Sequence, residues 1–284
     1  MSGDYEARLL RVMDHIHADP AGDLSLDALA EVAAMSRFHW HRVFRAMTGE
    51  TCAQAVRRIR MHLAACDLVR GDRPVEEIAR AVGYPDPDSF ARTFAAHYGL
   101  TPVRFRAAAP FRPTPQAPGK ERPMTTETAL YPVEIRQVPD RHLAGLPHHG
   151  SYFGISQAYA RLTSILQARG LMARTGAMVA LYYDDVTSKP EAELQSFAGV
   201  ELPGDMPLPE GLQAVDVAGG RTAVLTFTGP YAGLHEAYQY LFGSWLPGSG
   251  HVPADQPPYE HYLNTPMDTA PEDLVTEICV KLQS

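Results

Sequence analysis

Apolar residues recur at helical spacing through the first hundred positions and in strand-like runs beyond about residue 130, so the chain divides into a helical part and a mixed part. Leu9, Val12, Met13 and Ile16 predict a packing helix within Met1–Ala21, closed by Asp19-Pro20; His15 and His17 fall on its surface. Val56, Ile59, Leu63 and Leu68 run along Cys52–Arg70, a stretch of 19 residues without Gly or Pro. As a single helix it spans roughly 28 Å at about 1.5 Å per residue.

On either side of that rod one pattern appears twice. Leu26–Phe44 (LDALAEVAAMSRFHWHRVF) and Val75–Phe94 (VEEIARAVGYPDPDSFARTF) each read as a small-residue helix, a turn and a second helix. Leu29-Ala30 and Val32-Ala33-Ala34 align with Ile78-Ala79 and Ala81-Val82-Gly83, and Arg42-Val43-Phe44 with Arg92-Thr93-Phe94. Small side chains at these places let two short helices cross closely, which predicts two helix-turn-helix units. In the helix opened by Ser36 as N-cap, Trp40 and Phe44 point inward, leaving Phe38, His41, Arg42 and Arg45 for water. In the second unit Phe90 and Phe94 point inward, leaving Asp88, Ala91, Arg92 and Ala95 outward.

A second duplication lies beyond the helices. Gly150, Tyr152, Gly154, Ala158, Tyr159 and Leu162 recur 79 positions later as Gly229, Tyr231, Gly233, Ala237, Tyr238 and Leu241. Strand-like runs precede each copy (VEIRQV and HLAGLPH; LQAVDV and TAVLTFT), and AMVALYYDDV, PYEHYLN and LVTEICVKL follow. The expected fold class is two domains: an all-α double helix-turn-helix domain, then an α+β domain of two pseudo-twofold-related strand-strand-helix-strand-strand repeats. Halves of this kind commonly leave a cleft between them, a preferred place for a ligand.

Five Pro in the 14 residues Pro110–Pro123 favour extended polyproline backbone and mark a semi-rigid linker. The domain reading is therefore 1–109, a linker at 110–124, and 125–284. Charge divides at the same place: residues 1–112 carry 15 Arg against 14 acids, whereas 113–284 carry 10 basic residues against 19 acids. A near-neutral helical half makes any contact with nucleic acid depend on where its Arg residues face. Its affinity should then fall with salt. The three Cys residues are scattered, without metal-ligand spacing, as in a reducing compartment. No metal or cofactor is expected, and neither a membrane span nor a signal peptide is apparent, so the expected location is the cytoplasm.

Two sets of residues carry candidate chemistry. A helix showing Arg, His and an aromatic ring to water suits a major groove, where Arg grips guanine and phosphate. The rod approaches the roughly 34 Å that separates successive major-groove segments on one face of B-DNA, which suggests one chain reading two adjacent grooves. In the mixed half, Tyr152, Phe153, Tyr182, Tyr183, Tyr231, Trp245, Tyr259 and Tyr262 supply flat apolar surface, with Glu260 within PPYEHYLN. A carboxylate among aromatic rings attracts an organic cation through charge and ring faces. Strand alternation puts Glu260 on one face with Tyr262, and Tyr259 with His261 on the other.

Residues 24–106 resemble the DNA-binding domain of the AraC/XylS family of bacterial transcription regulators, through LSLDALA, MSRFHWHRVFRAMTG, RRIRMHLA and IARAVGYPDPDSFARTFAAHYGLTPVRFR. The resemblance implies double-stranded operator DNA as partner, with RNA polymerase beside it. The matching base-reading positions are Phe38, His41 and Arg42 in the first unit and Asp88, Ala91 and Arg92 in the second, flanked by Arg37 and Arg45. Asp88 departs from the neutral polar residue of the family. Residues 126–284 resemble the GyrI-like effector-binding domain of Rob-type and multidrug-sensing regulators, through GSYFGISQAYARL, GPYAGLHEAYQYL, PPYEHYLN and TEICVKL. That implies a small hydrophobic or cationic effector held at Glu260 with Tyr152, Phe153, Tyr182, Tyr231, Trp245 and Tyr262, and no catalysis. Two alternatives stay open: isolated GyrI-like domains also act as hydrolases of reactive xenobiotics, and an acidic domain can serve as a protein-interaction module. Methyl-transfer repair does not fit, because no Cys has a nucleophile-like setting.

Overall fold

The computed structural model describes residues 3–108, 131–186, 189–204, 206–266 and 269–283, with backbone alone at Gly3, Arg70 and Phe153. The Pro-rich segment at 110–124 lies outside the described residues. The chain forms two compact units: Gly3–Ala34 with Thr48–Pro123, and Met35–Met47 with Met124–Ser284.

The first unit is helical. Helix α1 (Gly3–Ala18) packs on α2 (Leu26–Val32), whose N-cap Ser25 accepts a hydrogen bond from the Ala28 amide. Ala34 closes the turn after α2 with φ 51°, and Gly83, its counterpart in the second copy, has φ 79°. Glycine takes this backbone freely, whereas alanine bears a cost of roughly 1 kcal/mol. Helix α3 (Arg37–Thr48) follows, and all but its last residue falls in the second unit.

The rod is α4 (Cys52–Arg70), with the bounds its sequence predicts. Thr51 and Gln54 form a reciprocal capping box at its start, so two otherwise orphaned amides are satisfied. Helices α5 (Val75–Ala81), α6 (Pro87–Tyr98) and α7 (Pro102–Ala107) follow. Asp86 caps α6, Pro87 fits its first turn, and Gly99 ends it at φ 76°. Phe90 and Phe94 are fully buried with Met61, Leu68, Ile78 and Phe105, as the inward pair predicts.

The second unit is built on one antiparallel sheet of eight described strands. These are β1 (Val133–Val138), β2 (Arg141–His149), β3 (Met178–Tyr182), β4 (Gln195–Glu201), β5 (Gln213–Val217), β6 (Gly220–Thr228), β7 (Tyr259–Tyr262) and β8 (Val275–Lys281). Helix α8 (Ile155–Ala168) lies between β2 and β3 in sequence. Between β6 and β7, α9 (Leu234–Tyr240) continues through a π-helical turn, Leu241–Trp245, into α10 (Leu246–Ser249). The expected order of elements therefore holds in both halves. Strand β4, within QSFAGVE, is the element that alternation did not single out, because five of its seven residues are buried without a break.

Strand order across the sheet is β1-β6-β8-β7-β3-β4-β2-β5. Exchanging each strand for its repeat counterpart reverses this order and leaves it unchanged, as a pseudo-twofold passing between β3 and β7 requires. The first strand of each half joins the other half, β1 on β6 and β5 on β2. At the centre Ala180 lies opposite Glu260 and Met178 opposite Tyr262.

Phe94 sits against Phe90, Tyr98 and Phe105 at ring separations of 5.6, 4.8 and 5.2 Å. Phe94→Ala should destabilise the helical unit by roughly 3 to 5 kcal/mol, read as an earlier guanidinium transition by circular dichroism. An unchanged midpoint would show that this cluster does not hold the unit together.

Candidate functional site

Strand alternation and the central register put one carboxylate at the pseudo-twofold. Glu260 is 4% exposed and lies opposite Ala180 in the register of β3 and β7. The Tyr262 hydroxyl donates to Glu260 Oε2 at 2.7 Å and the Tyr182 hydroxyl lies 3.3 Å from the same oxygen. The two hydroxyls are 3.1 Å apart. Tyr182 and Tyr262 are counterparts in the two repeats, so the duplication supplies both donors and a single acid.

The same symmetry builds the surround. Tyr152 packs edge-on to Tyr182 at 4.8 Å, and its counterpart Tyr231 packs edge-on to Tyr262 at 5.4 Å. Tyr159 packs against Tyr262 at 5.9 Å. Its counterpart Tyr238 stacks on Phe242 at 6.1 Å, with its buried hydroxyl toward Glu260 but outside good hydrogen-bond alignment. Tyr182 and Tyr262 are buried, Tyr152 is half-buried, and Tyr231 reaches solvent. The sequence shows Tyr159 and Tyr238 only as a matched pair of the repeat, without placing them at the site. Their signal is that repeat, which pairs them just as it pairs Tyr152 with Tyr231.

Burial pushes the Glu260 carboxyl up to about 7, against hydrogen bonds from Tyr262 and Tyr182, the nearby Tyr238 hydroxyl and the charge of Arg42, which favour the ionised form. Burial, followed by the nearby Glu260 charge, raises Tyr159, Tyr182, Tyr238 and Tyr262 well above the usual phenol range, so all four stay neutral. The result is an acid poised between charge states inside a ring of neutral hydroxyls and aromatic faces. An organic cation brought to it would find both charge and quadrupole complementarity.

Four of the aromatic residues named from the sequence fare differently. Trp245 stacks on His251 at 6.4 Å, and its described contacts do not join it to Glu260. Trp245 ends a π-helical turn, Leu241–Trp245, which sequence periodicity does not reveal. The side chain of Phe153 lies outside the described residues. Tyr183 and Tyr259 pack into the cluster of Leu143, Leu181 and Phe197, and His261 bonds Glu277 at 3.0 Å, as alternation from Glu260 requires. A groove of about 500 Å³ beside α8, lined by His148, Gln157, Arg161 and Gln213 among others, takes no wall from Glu260 or its tyrosines.

Among the predicted nucleic-acid readers, Asp88 and Arg92 are exposed and Ala91 half-buried on α6. On α3, Ser36 caps the helix by accepting from the Phe38 amide, and Trp40 and Phe44 are buried as expected. Arg37 is exposed, and Phe38 and Arg45 are half-buried. His41 and Arg42 depart from expectation, each 8% exposed rather than open to water. Arg42 donates to the carbonyls of Phe38 at 2.6 Å, Asp184 at 2.7 Å and Tyr182 at 3.3 Å. Burial first, and Arg42 second, hold His41 down to about 4. The physical reason is long-range: the polar face of α3 is covered by residues more than 130 positions away.

Comparison with known proteins agrees with this architecture. Residues 131–283 match the family model of the GyrI-like small molecule binding domain, and residues 29–108 match that of a helix-turn-helix domain. Regulatory protein SoxS of Salmonella typhimurium is 32% identical over 83 residues, 29% of this chain and 78% of SoxS. The chain is an AraC-type transcription regulator with a C-terminal GyrI-like domain. The regulator is also 30% identical over 95 residues to AdaA of Bacillus subtilis, a bifunctional transcriptional activator and DNA repair enzyme. That match covers 34% of the regulator and 45% of AdaA. The crystal structure of the EcmrR C-terminal domain aligns with 55% of the regulator and 99% of its own length, at 16% identity and a TM-score of 0.45. No described helix of the regulator is long and apolar enough to cross a membrane.

Because the folded carboxyl of Glu260 is raised from its ordinary 4.5 to about 7, its contribution to stability is fully present below pH 4.5 and lost as pH rises through 7. Glu260→Gln should remove about 3 kcal/mol of that decline. Guanidinium unfolding of both proteins at pH 5 and pH 8 checks this; a decline of equal size in the variant would show that Glu260 is not the responsible acid.

Proposed function

We propose that this DNA-binding regulator senses a hydrophobic organic cation in its GyrI-like domain, with Glu260 as the counter-charge. Tyr152, Tyr159, Tyr182, Tyr231, Tyr238 and Tyr262 form the surround. The observation that carries the reading is the placement of one ionisable carboxylate, 4% exposed, among six tyrosines from both repeats. A buried acid raised to about 7 opposes stability at neutral pH, and an incoming cation would offset that cost by stabilising the ionised form. Tyr231, the solvent-reaching member, marks the side of entry. The structure has the cage filled by its own hydroxyls, so entry requires tyrosine side chains to turn outward.

On the DNA side we propose Arg37, Phe38, His41, Arg42 and Arg45 of the first unit and Asp88, Ala91 and Arg92 of the second as the reading positions, in adjacent major grooves. The capped, uninterrupted α4 supports this as the spacer between the units. Arg92, exposed on α6, is suited to guanine or phosphate as the structure stands, while His41 and Arg42 are withdrawn from solvent.

The test is calorimetric titration with tetraphenylphosphonium, against the neutral triphenylphosphine oxide, at pH 6 and pH 8. Affinity for the cation should rise with pH as Glu260 ionises, fall at least about tenfold in Glu260→Gln, roughly the 1.4 kcal/mol per decade of binding, and be absent for the oxide. Equal binding of cation and oxide, or of native protein and Glu260→Gln, would refute a charge-based sensor.

A further inference from the structure

Helix α3, proposed above to carry DNA-reading positions, is packed in this structure as part of the sensor unit. Its contacts are specific. The Ser36 hydroxyl donates to Asp255 at 2.9 Å and the His39 ring bonds the Gln256 carbonyl at 3.0 Å, both on the segment that leads into β7 and Glu260. His39 stacks on Phe242 at 5.5 Å, and the Arg42 guanidinium lies over the same ring at 5.8 Å. Gly243 completes the fit, since a Cβ there would meet Ala46 Cβ at 2.7 Å. His39, Trp40, His41, Arg42, Val43 and Phe44 are all buried.

Arg42 also reaches the cage through three shared residues. Tyr182 accepts from Arg42 with its carbonyl and approaches Glu260 with its hydroxyl. Phe242, under the Arg42 guanidinium, also stacks with the Tyr238 ring. The Asp184 carbonyl accepts from Arg42 and is 2.9 Å from the Tyr152 hydroxyl. A buried guanidinium thus stands beside an aromatic cage suited to a cation, and it belongs to the side chain that the first unit needs for bases.

We propose that Arg42 is the cage's resident cation and that α3 docking is an autoinhibitory latch, which an organic cation bound at Glu260 opens. This rests on the cation-sensing reading above. Arg42 cannot hold the Tyr182 and Asp184 carbonyls and grip a base at once, so docking and DNA reading by α3 exclude each other. A second positive charge brought to Glu260 repels the Arg42 guanidinium in a medium that screens poorly. Moving Tyr182 or Tyr152 to admit it also disturbs the carbonyls that hold α3. Linkage then requires that DNA bound through α3 raise the affinity for the cation by the same factor.

The experiment opens the latch from the sensor side. Gly243→Ala puts a Cβ 2.7 Å from that of Ala46, and Asp255→Ala removes the acceptor of the Ser36 hydroxyl; neither residue is a proposed DNA reader. DNA selected from a random pool by the unsubstituted protein with tetraphenylphosphonium present serves as operator. Without the cation, each variant should bind it at least about tenfold more tightly than the unsubstituted protein. Tetraphenylphosphonium should strengthen DNA binding by the unsubstituted protein several-fold and add little in the variants. In the unsubstituted chain the same cation should speed hydrogen exchange across Arg37–Thr48. Equal DNA affinity in the unsubstituted protein and both variants, with exchange across α3 faster in the variants, overturns the latch. Calorimetric binding of the cation without change in exchange or DNA affinity overturns the coupling while leaving the sensor intact. A cation that does not bind at all, beside variants that still bind DNA more tightly, refutes the sensor and with it the coupling, and leaves the occlusion of α3 standing.

Discussion

A carboxylate with almost no access to water is the constraint around which the sensor unit is arranged. Glu260 sits where two halves of a duplicated sheet meet, and its repeat counterpart is Ala180, so a twofold framework surrounds a onefold charge. The duplication supplies three pairs of tyrosines, and the break in symmetry supplies the acid. Hydroxyls from Tyr182 and Tyr262 lower the cost of its charge without cancelling burial, which leaves it near the neutral range. A fully compensated carboxylate would have little left to offer a ligand. One without donors would remain protonated, which is why the balance between burial and hydroxyls matters more than either alone.

The second consequence concerns the helix that carries Arg42. Its burial is organised by backbone carbonyls at the end of β3 and just beyond it, and by Phe242 at the π-helical turn, both within reach of the cage. DNA reading and effector sensing are usually pictured as properties of separate domains joined by a linker. On the reading proposed above, a single side chain connects the two, because its charge is useful to either. The same logic accounts for the departure of His41 and Arg42 from the exposed face of an amphipathic helix. A polar helix face can be satisfied by nucleic acid or by a protein surface that presents carbonyls and an aromatic ring.

Local pattern carried much of this architecture. The uninterrupted run Cys52–Arg70 became one helix, the inward pairs Trp40/Phe44 and Phe90/Phe94 are buried, and the 79-residue offset made the two sheet repeats visible. Alternation placed Tyr262 beside Glu260 and Tyr259 behind it. What failed was what depends on partners distant in sequence. Strand β4 is buried on both faces and shows no alternation, periodicity does not reveal the π-helical turn that ends at Trp245, and nothing in Arg37–Thr48 signals that its polar face meets the carbonyls of Tyr182 and Asp184 and the ring of Phe242. Tyr159 and Tyr238 were visible as a repeated pair, but helical spacing shows which face is inward without showing what lies there.

The most direct test is the titration of the glutamate side-chain carboxyls by carbon-13 NMR, in native protein and in Glu260→Gln, with and without tetraphenylphosphonium. One signal, lost in the variant, should titrate near 7 and move to lower pH when the cation is added. If every glutamate titrates in the ordinary carboxylate range, or the Glu260 signal ignores the cation, the buried acid is not the receptor for positive charge.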